Sequence, residues 1–316
     1  MTGIGAKITG LSLVLATLVF GFMLWGLRGP TGFILELRAI KLVSLICVGA
    51  AAGAATVLFQ TVARNQLLTP GIVGFDALFV LIQTLLVAVL GGIGTAQLPA
   101  ALRFALETGV LMLAASLLFG SLLRRDASDI TRMILTGVIV GVLLRGLSSM
   151  VQRLLDPSEF SIVQQAMFAS FGQVDAGQLV IAALTLLAAF ALAMRLAPML
   201  DVAALGRQTA RGLGVPYDSL MLITLLIVAA MISISTALVG PITFLGLLCA
   251  SLARLWLDTH RHAVLIPASA LIGALTLVSG QFVFERLLHS ESALAVVVEF
   301  FGGLLFLILV LRKAKT

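Results

Sequence analysis

Long apolar runs separated by short polar breaks follow one another along the whole chain. A helix that crosses a bilayer needs about 20 mostly apolar residues, and about ten runs approach that length. They are residues 8–27, 40–60, 74–93, 104–123, 131–152, 177–197, 219–239, 241–257, 263–283 and 292–311. A further stretch, residues 158–174, predicts a short extra helix at the membrane. The pattern predicts an all-α polytopic membrane protein with a single transmembrane domain over residues 1–316.

Composition agrees with a chain surrounded by lipid. Apolar residues make up 60% of the 316 positions and charged residues only 11%, whereas soluble domains carry about a quarter charged residues. The formal net charge is +6, but the Lys and Arg residues stand singly at the ends of apolar runs. Because no basic face is formed, the charge does not indicate nucleic-acid binding.

The distribution of these cations predicts the orientation. An even number of spans places both termini on one side of the membrane. With the termini inside, thirteen of the 20 Lys and Arg residues fall on inner segments and six on outer ones, while Arg145 lies within the fifth span. Cytoplasmic loops carry the excess of positive charge, so both termini are expected in the cytoplasm.

Motifs for covalent chemistry are missing from the sequence. It contains no Gly-Lys pair, and therefore no Gly-x-x-x-x-Gly-Lys-[Ser/Thr] phosphate loop for ATP. The stretch from Asp258 to His262 superficially resembles a metal cluster, but it lies in a short basic loop and no metal site is assigned. Cys47 and Cys249 lie inside apolar runs and are interpreted as small lipophilic residues. No catalytic residue is predicted.

Four ionisable residues lie within or near the predicted spans. They are Asp76, Glu107, Arg145 and Glu299. Because charges inside a membrane are costly, such residues are candidates for function. They form no repeated pattern, so two interpretations remain open. They either have buried partners or a solvated lumen, or they serve an ion-coupled carrier.

The polar break between the sixth and seventh spans, residues 204–216, is the most informative segment. Leu205, Ala210 and Leu213 fit one face of a short helix, with Arg207 and Arg211 on the other. Such a helix on the inner surface is suited to docking into a groove on a cytoplasmic partner. An ordinary helix at the membrane interface is the alternative.

This break resembles the Leu-Gly-x-x-x-Ala-x-x-Leu-Gly-Val motif of the FecCD/BtuC-type permeases, the membrane subunits of bacterial ABC importers for iron–siderophores, haem and cobalamin. The matching residues are Leu205, Gly206, Ala210, Leu213, Gly214 and Val215. Three other blocks resemble the family in the same order: Arg38-Ala-Ile-Lys41, residues 49–74, and Gly240 to Leu247 followed by Arg254. Departures such as Gln66, Ala250 and Ser251 indicate a divergent siderophore branch.

The resemblance implies a function and a set of partners. The chain would be the permease subunit of an ATP-driven importer that moves iron–siderophore complexes across the bacterial inner membrane. It would work with a cytoplasmic ATPase dimer, a second permease that is identical or homologous, and a periplasmic or lipid-anchored siderophore-binding protein. No cofactor is expected in this chain, since ATP and Mg would be bound by the ATPase.

The resemblance also implies roles for particular residues. Residues 205–215, including Arg207 and Arg211, would form the coupling helix that contacts the ATPase. Arg38, Lys41 and Arg286 would dock the binding protein, although snorkelling of these cations at the interface is the alternative. Met167, Phe168 and Phe171 are candidates for an outer gate, and equally for packing.

Several alternatives remain open at this point. Haem or cobalamin could replace the siderophore as substrate. An ion-coupled secondary transporter would depend on acids such as Asp76 or Glu107 and need no ATPase, and a channel would need no partner. The sequence leaves the particular siderophore and the choice between homodimer and heterodimer undecided.

Overall fold

The computed structural model describes residues 2–27, 30–125, 130–288 and 294–313, and these residues form a helical bundle. The helices are α1 (Thr2–Leu24), α2 (Thr31–Val62), α3 (Asp76–Gln97), α4 (Ala100–Arg125), α5 (Ile130–Gln152), α6 (Pro157–Ala166), α7 (Ala176–Ala203), α8 (Arg207–Gly212), α9 (Tyr217–Val239), α10 (Leu245–Leu257), α11 (His262–Phe282) and α12 (Leu294–Lys313). Two π-helical turns, Gly71–Phe75 and Val283–Leu287, adjoin α3 and α11.

The predicted spans are confirmed. Within the described ranges, eight helical stretches are long and apolar enough to cross a membrane, and α10 and α12 are shorter apolar helices. Each of the predicted apolar runs coincides with one of these elements. The shortest prediction, residues 241–257, corresponds to α10, which has only 13 residues.

The extra helix is shorter than predicted. It occupies only Pro157–Ala166, and a loop follows it up to the start of α7. Asp156 and Glu159 form a capping box at its first turn, which satisfies backbone N–H groups that the helix leaves free. The backbone N–H of Ser170 bonds to the Val239 carbonyl. This contact draws the loop onto the end of α9, and a local pattern could not reveal it.

The centre of the bundle is built on close contact between α2 and α11. A Cβ atom placed on Gly49 would lie under 3.0 Å from the backbone of Gly273, and one on Gly53 would meet Ser269 in the same way. Small residues permit such backbone approach, which drives helix association where lipid removes the hydrophobic effect. Most of the apolar stretch of α2 is buried, whereas that of α1 and α5 is largely exposed.

A second close contact joins α5 to the π-helical turn before α3. Gly137 and Gly141 of α5 pack against Val73 and Gly74. Gly74 has a φ of +112°, a conformation that glycine adopts without the steric cost of a Cβ. Gly49 with Gly53, and Gly137 with Gly141, are both glycine pairs four residues apart, and both pairs serve helix packing.

Two segments return to the middle of the bundle instead of remaining at its ends. Thr69 and Gly71, which follow the end of α2, line the same cavity as Thr56 in its interior. Thr243, just before α10, lines this cavity too. Consequently α3 and α10 both begin beside the middle of α2, which explains why α10 is short.

Candidate functional site

The predicted coupling segment forms α8, but its faces differ from the prediction. Ala210 is fully buried, whereas Leu205 and Leu213 are each 63% exposed. The prediction that these three residues share one face is wrong, because Gly206 has a φ of +110° and α8 begins only after it, so that Leu205 lies outside the helix. Both leucines consequently project from the surface on either side of the buried Ala210.

One acidic residue holds α8 in place. Asp218, in the first turn of α9, accepts hydrogen bonds from Arg207 Nε at 3.1 Å and Arg207 Nη2 at 3.3 Å. The Nη2 group of Arg211 donates to the same carboxylate. Two guanidinium groups therefore fasten α8 to the start of α9. The paired arginines and the two exposed leucines together make a rigid amphipathic surface.

A polar network joins four helices near α8. Asp201 Oδ1 of α7 lies 2.6 Å from His262 Nδ1 of α11, and His262 Nε2 lies 2.7 Å from Thr61 Oγ1 of α2. Arg254 of α10 donates to Gln60 Oε1 of α2. This end of the bundle is thus cross-linked by hydrogen bonds. Sequence reasoning did not find the network, because its members lie far apart along the chain.

The stretch from Asp258 to His262 has no metal-binding geometry. Across the ranges that the structure describes, no three His, Cys, Asp or Glu side chains come together to hold a metal ion. His262 is instead engaged by Asp201 and Thr61.

Arg38 is a structural cation. It is only 8% exposed, and its Nη1 group donates to the carbonyls of Met23 at 2.7 Å and Trp25 at 3.0 Å. These carbonyls lie at the end of α1, where helical partners are missing. A positive charge at a helix C-terminus also stabilises the helix dipole. Arg38 therefore fixes α1 to α2, and its predicted docking role stays a prediction.

Lys41 and Arg286 share one acidic partner. Lys41 Nζ lies 3.1 Å from Glu285 Oε2, and Arg286 Nη2 lies 3.5 Å from Glu285 Oε1. The guanidinium of Arg286 also lies over the Phe22 ring, 5.9 Å from its centroid. The structure brings the three predicted docking residues to one end of the bundle, where two of them share a carboxylate and keep a net positive charge.

The candidate gate residues fall on a loop with two different environments. Phe171 is buried, whereas Phe168 is 59% exposed and Met167 is also exposed. The Ser170 N–H donates to the Val239 carbonyl at 2.8 Å, which ties this loop to the end of α9. Phe171 therefore packs in the core, and Met167 and Phe168 remain available for a gate.

The structure brings together three of the four intramembrane ionisable residues. The hydroxyl of Thr243 donates to Asp76 Oδ2 at 2.7 Å, and its backbone N–H interacts electrostatically with Glu299. Arg145 of α5 lies close enough to Asp76 for the two charges to attract. Asp76 and Thr243 also line a cavity of about 30 Å³. A charged group at the bilayer centre costs about 2.5–3.5 kcal/mol on insertion scales, so this polar set is retained against a free-energy penalty.

Glu107, the fourth of these residues, lies elsewhere. Its Oε1 atom is 2.8 Å from Nε of Arg103, one turn earlier on α4. This pairing supplies the buried partner that the sequence left as one alternative.

The chain is similar to known transport proteins along almost its whole length. A model described as the FecCD transport family matches residues 5–312. The chain is 36% identical over 302 residues to the petrobactin import system permease protein YclO of Bacillus subtilis (strain 168), an alignment that covers 96% of both. It is 32% identical to the petrobactin import system permease protein FatC of Bacillus anthracis, over 89% of this chain and 79% of that protein.

More distant relatives include a permease for a different siderophore complex. The chain is 30% identical to the ferric enterobactin transport system permease protein FepD of Escherichia coli (strain K12), over 89% of this chain and 83% of that protein. A solved structure of an ABC transporter in an inward-facing conformation has the same fold, with a TM-score of 0.82 at 22% identity. The match covers 98% of this chain and 99% of the chain in the solved structure.

Proposed function

This chain belongs to the FecCD transport family, and we propose that it is the membrane-spanning permease subunit of an ATP-driven importer for iron–siderophore complexes. It lies in the bacterial inner membrane with both termini in the cytoplasm. Its partners are a cytoplasmic ATPase dimer with its ATP and Mg, a second permease, and a siderophore-binding protein outside.

The surface around α8 carries this proposal. Leu205 and Leu213 are exposed on a segment that Asp218 holds rigid through Arg207 and Arg211. Two large apolar side chains exposed on either side of such a short helix fit into a groove of a protein partner. The partner is the ATPase, since the chain itself lacks a phosphate loop.

The same contacts suggest how the ATPase drives transport. Movement of the ATPase pushes on α8, and the Asp218 pairs pass this force to α9. The far end of α9 leads through Gly240 to Thr243, which hydrogen-bonds Asp76 and interacts electrostatically with Glu299. A displacement at the inner surface therefore reaches the polar set within the membrane along one continuous helix. The permease performs no covalent step.

The outer cations support docking of the binding protein. Lys41 and Arg286 share Glu285, so this cluster carries net positive charge and attracts acidic residues of a partner. Arg38 contributes indirectly, by holding α1 beside the cluster. Met167 and Phe168 are the exposed residues of the proposed outer gate.

Iron–siderophores are the proposed cargo because the relatives named above import petrobactin and ferric enterobactin. Cobalamin is the second candidate, since the chain is also 30% identical to vitamin B12 import permeases of Salmonella. Haem is the third candidate cargo. An ion-coupled carrier is the least favoured function, because Glu107 is paired with Arg103.

Radio-iron uptake in a deletion strain tests the proposal. Cells grown in iron-limited medium receive a panel of ferric siderophores, haem and labelled cobalamin in parallel. We expect one ferric siderophore to be excluded and the wild-type gene to restore its uptake. Loss of cobalamin or haem uptake alone would show that the proposed cargo is wrong. Uptake that persists after ATP is depleted, but stops when the proton gradient is collapsed, would contradict an ATP-driven importer.

A further inference from the structure

A small polar cavity lies inside the bundle where four segments of the chain meet. Its volume is about 30 Å³, which is enough for one or two water-sized ligands. The four segments are the middle of α2, the turn that leads into α3, the end of α9 and the start of α10. Membrane transport proteins place ion sites at interrupted helices of this kind, because unwound backbone lines a cavity there and supplies polar groups.

The polar side chains of this cavity all present oxygen atoms. One carboxylate and five hydroxyls line it, from Asp76, Thr56, Thr69, Ser235, Thr236 and Thr243. Among the described residues, none that lines the cavity carries a side-chain N–H donor. Sets of oxygen ligands without nitrogen or sulfur are typical of hard cations. Because a single carboxylate balances a single positive charge, the cavity is suited to a monovalent cation.

Two of these hydroxyls lack a partner in the protein. Thr56 is 1% exposed and Thr236 is 6% exposed. Across the ranges that the structure describes, neither side chain makes a hydrogen bond. A buried polar group without a partner costs free energy, and both hydroxyls line the cavity. Their oxygen atoms are therefore available to a ligand that occupies it.

Asp76 also keeps one oxygen for a ligand. Its Oδ2 atom accepts the Thr243 hydroxyl at 2.7 Å, whereas its Oδ1 atom has no hydrogen bond or ion pair within the described part of the chain. Arg145 attracts this carboxylate but forms no ion pair with it among those residues. Glu299 adds a second negative charge nearby. An unpaired carboxylate oxygen inside a membrane is costly, and a bound cation would offset that cost.

Glycines leave room for these oxygen atoms. A Cβ on Gly71 would lie 2.5 Å from Asp76 Oδ2, and one on Gly246 would overlap Thr56 Oγ1. Gly71 begins the turn before α3, and Gly246 lies in the first turn of α10. Larger residues at either position would displace an oxygen atom from the cavity wall. Both interrupted helices and α2 therefore contribute to the shape of the site.

We propose that this cavity binds one Na⁺ ion, with Asp76, Thr56 and Thr243 among its ligands, and that the ion fastens the ends of α3, α9 and α10 to the middle of α2. The small volume favours Na⁺ over the larger K⁺. The ion is a stabilising ligand and not a transported one, so the transport cycle remains driven by ATP. This site does not depend on which cargo the importer carries.

The stability of the full-length protein in different salts tests the site. The chain is purified in detergent with choline as the only added cation, and its melting temperature is measured as Na⁺ or K⁺ replaces choline at constant ionic strength. Binding of radioactive sodium to the same preparation gives the number of ions per chain. Asp76→Asn removes the charge and Thr56→Val removes a hydroxyl, each with little change in size.

Glu107→Gln is the matched control. Glu107 is also a buried carboxylate within a membrane helix, but it pairs with Arg103 and does not line the cavity. Loss of its charge should consequently leave the response to Na⁺ as in the wild type.

The expected response is specific for sodium. The melting temperature rises with Na⁺ and then saturates, because a ligand that binds only the folded state stabilises it, and one ion is bound per chain. K⁺ gives no such rise. Asp76→Asn loses the response. Thr56→Val needs about threefold more Na⁺ to reach half of the rise, the effect of losing one neutral ligand.

Three results would overturn the sodium site. A rise as large with K⁺ as with Na⁺ would show that the cavity does not select sodium. No rise and no bound sodium in the wild type would mean that the cavity holds only water. A full response in Asp76→Asn, or in Thr56→Val if Asp76→Asn fails to fold, would place the ion elsewhere. The cargo found in the uptake experiment affects none of these results, so the proposed function and the sodium site can fail independently.

Discussion

At the scale of single residues, the contact between α2 and α11 determines which substitutions the bundle tolerates. Gly49 and Gly273 lie so close that a Cβ on either would overlap the backbone of the other. Overlap with backbone cannot be relieved by a rotamer change. These positions therefore hold the two helices at their observed separation.

A Gly49→Ala substitution is expected to destabilise the protein. The added methyl group has no space, and overpacking of this kind costs about 1–3 kcal/mol. The melting temperature of the purified protein in detergent should fall. Gly109→Ala is the matched control, because Gly109 lies on α4 with nothing within 4 Å of its added Cβ. Equal melting temperatures for the two variants would contradict the tight contact.

At the scale of elements, α8 is the segment whose function can be separated from its folding. Its buried contact with the bundle is made by Ala210, and Asp218 fixes its arginines. Leu205 and Leu213 contribute little to this anchoring because they are exposed. Replacing the leucines should consequently leave the helix in place and affect only a partner.

The double variant Leu205→Ser/Leu213→Ser is expected to lose its ATPase. Burying a leucine side chain contributes about 1.5–3 kcal/mol, so removing two should weaken assembly at least about tenfold. Co-purification of the ATPase from membranes measures the change. Leu154→Ser is the control, since Leu154 is 82% exposed in the turn after α5. Normal co-purification of the double variant would show that α8 is an ordinary interfacial helix.

Periodicity predicted the membrane spans well, because a span is defined by a long local run of apolar residues. It failed for α8, where the positive φ of Gly206 interrupts the helix within the predicted face. It also gave no information on what Arg38 binds, since the carbonyls of α1 reach it only in the folded bundle. The Asp76–Thr243 bond joins residues 167 positions apart. Contacts of this range depend on tertiary packing, which local patterns do not encode.

At the scale of the whole molecule, the two ends of the bundle have different functions. One end carries α8 and the network around His262, and the other carries Lys41, Arg286 and the loop after α6. Between them, α9 runs from Asp218 to Gly240 without a break. This arrangement places proposed ATPase contacts and proposed binding-protein contacts on opposite membrane surfaces.

The orientation of the bundle gives the last prediction. Three apolar helices, α7, α9 and the short α10, separate Ser158 in α6 from His260 in the loop before α11, and the sequence predicts that each of them crosses the membrane. An odd number of crossings places these two positions on opposite sides of the membrane. The excess of Lys and Arg on the inner segments then assigns His260 to the cytoplasm.

Single cysteines at these two positions test the orientation. Cys47 and Cys249 are first replaced by alanine, because they are the only native thiols. Ser158→Cys should react with a membrane-impermeant maleimide in intact spheroplasts, and His260→Cys only after permeabilisation. Both positions are exposed, so low reactivity cannot be attributed to burial. The reverse pattern would show that the protein has the opposite orientation, in which α8 could not contact a cytoplasmic ATPase. Labelling of both positions from the same side of the membrane would contradict the number of crossings.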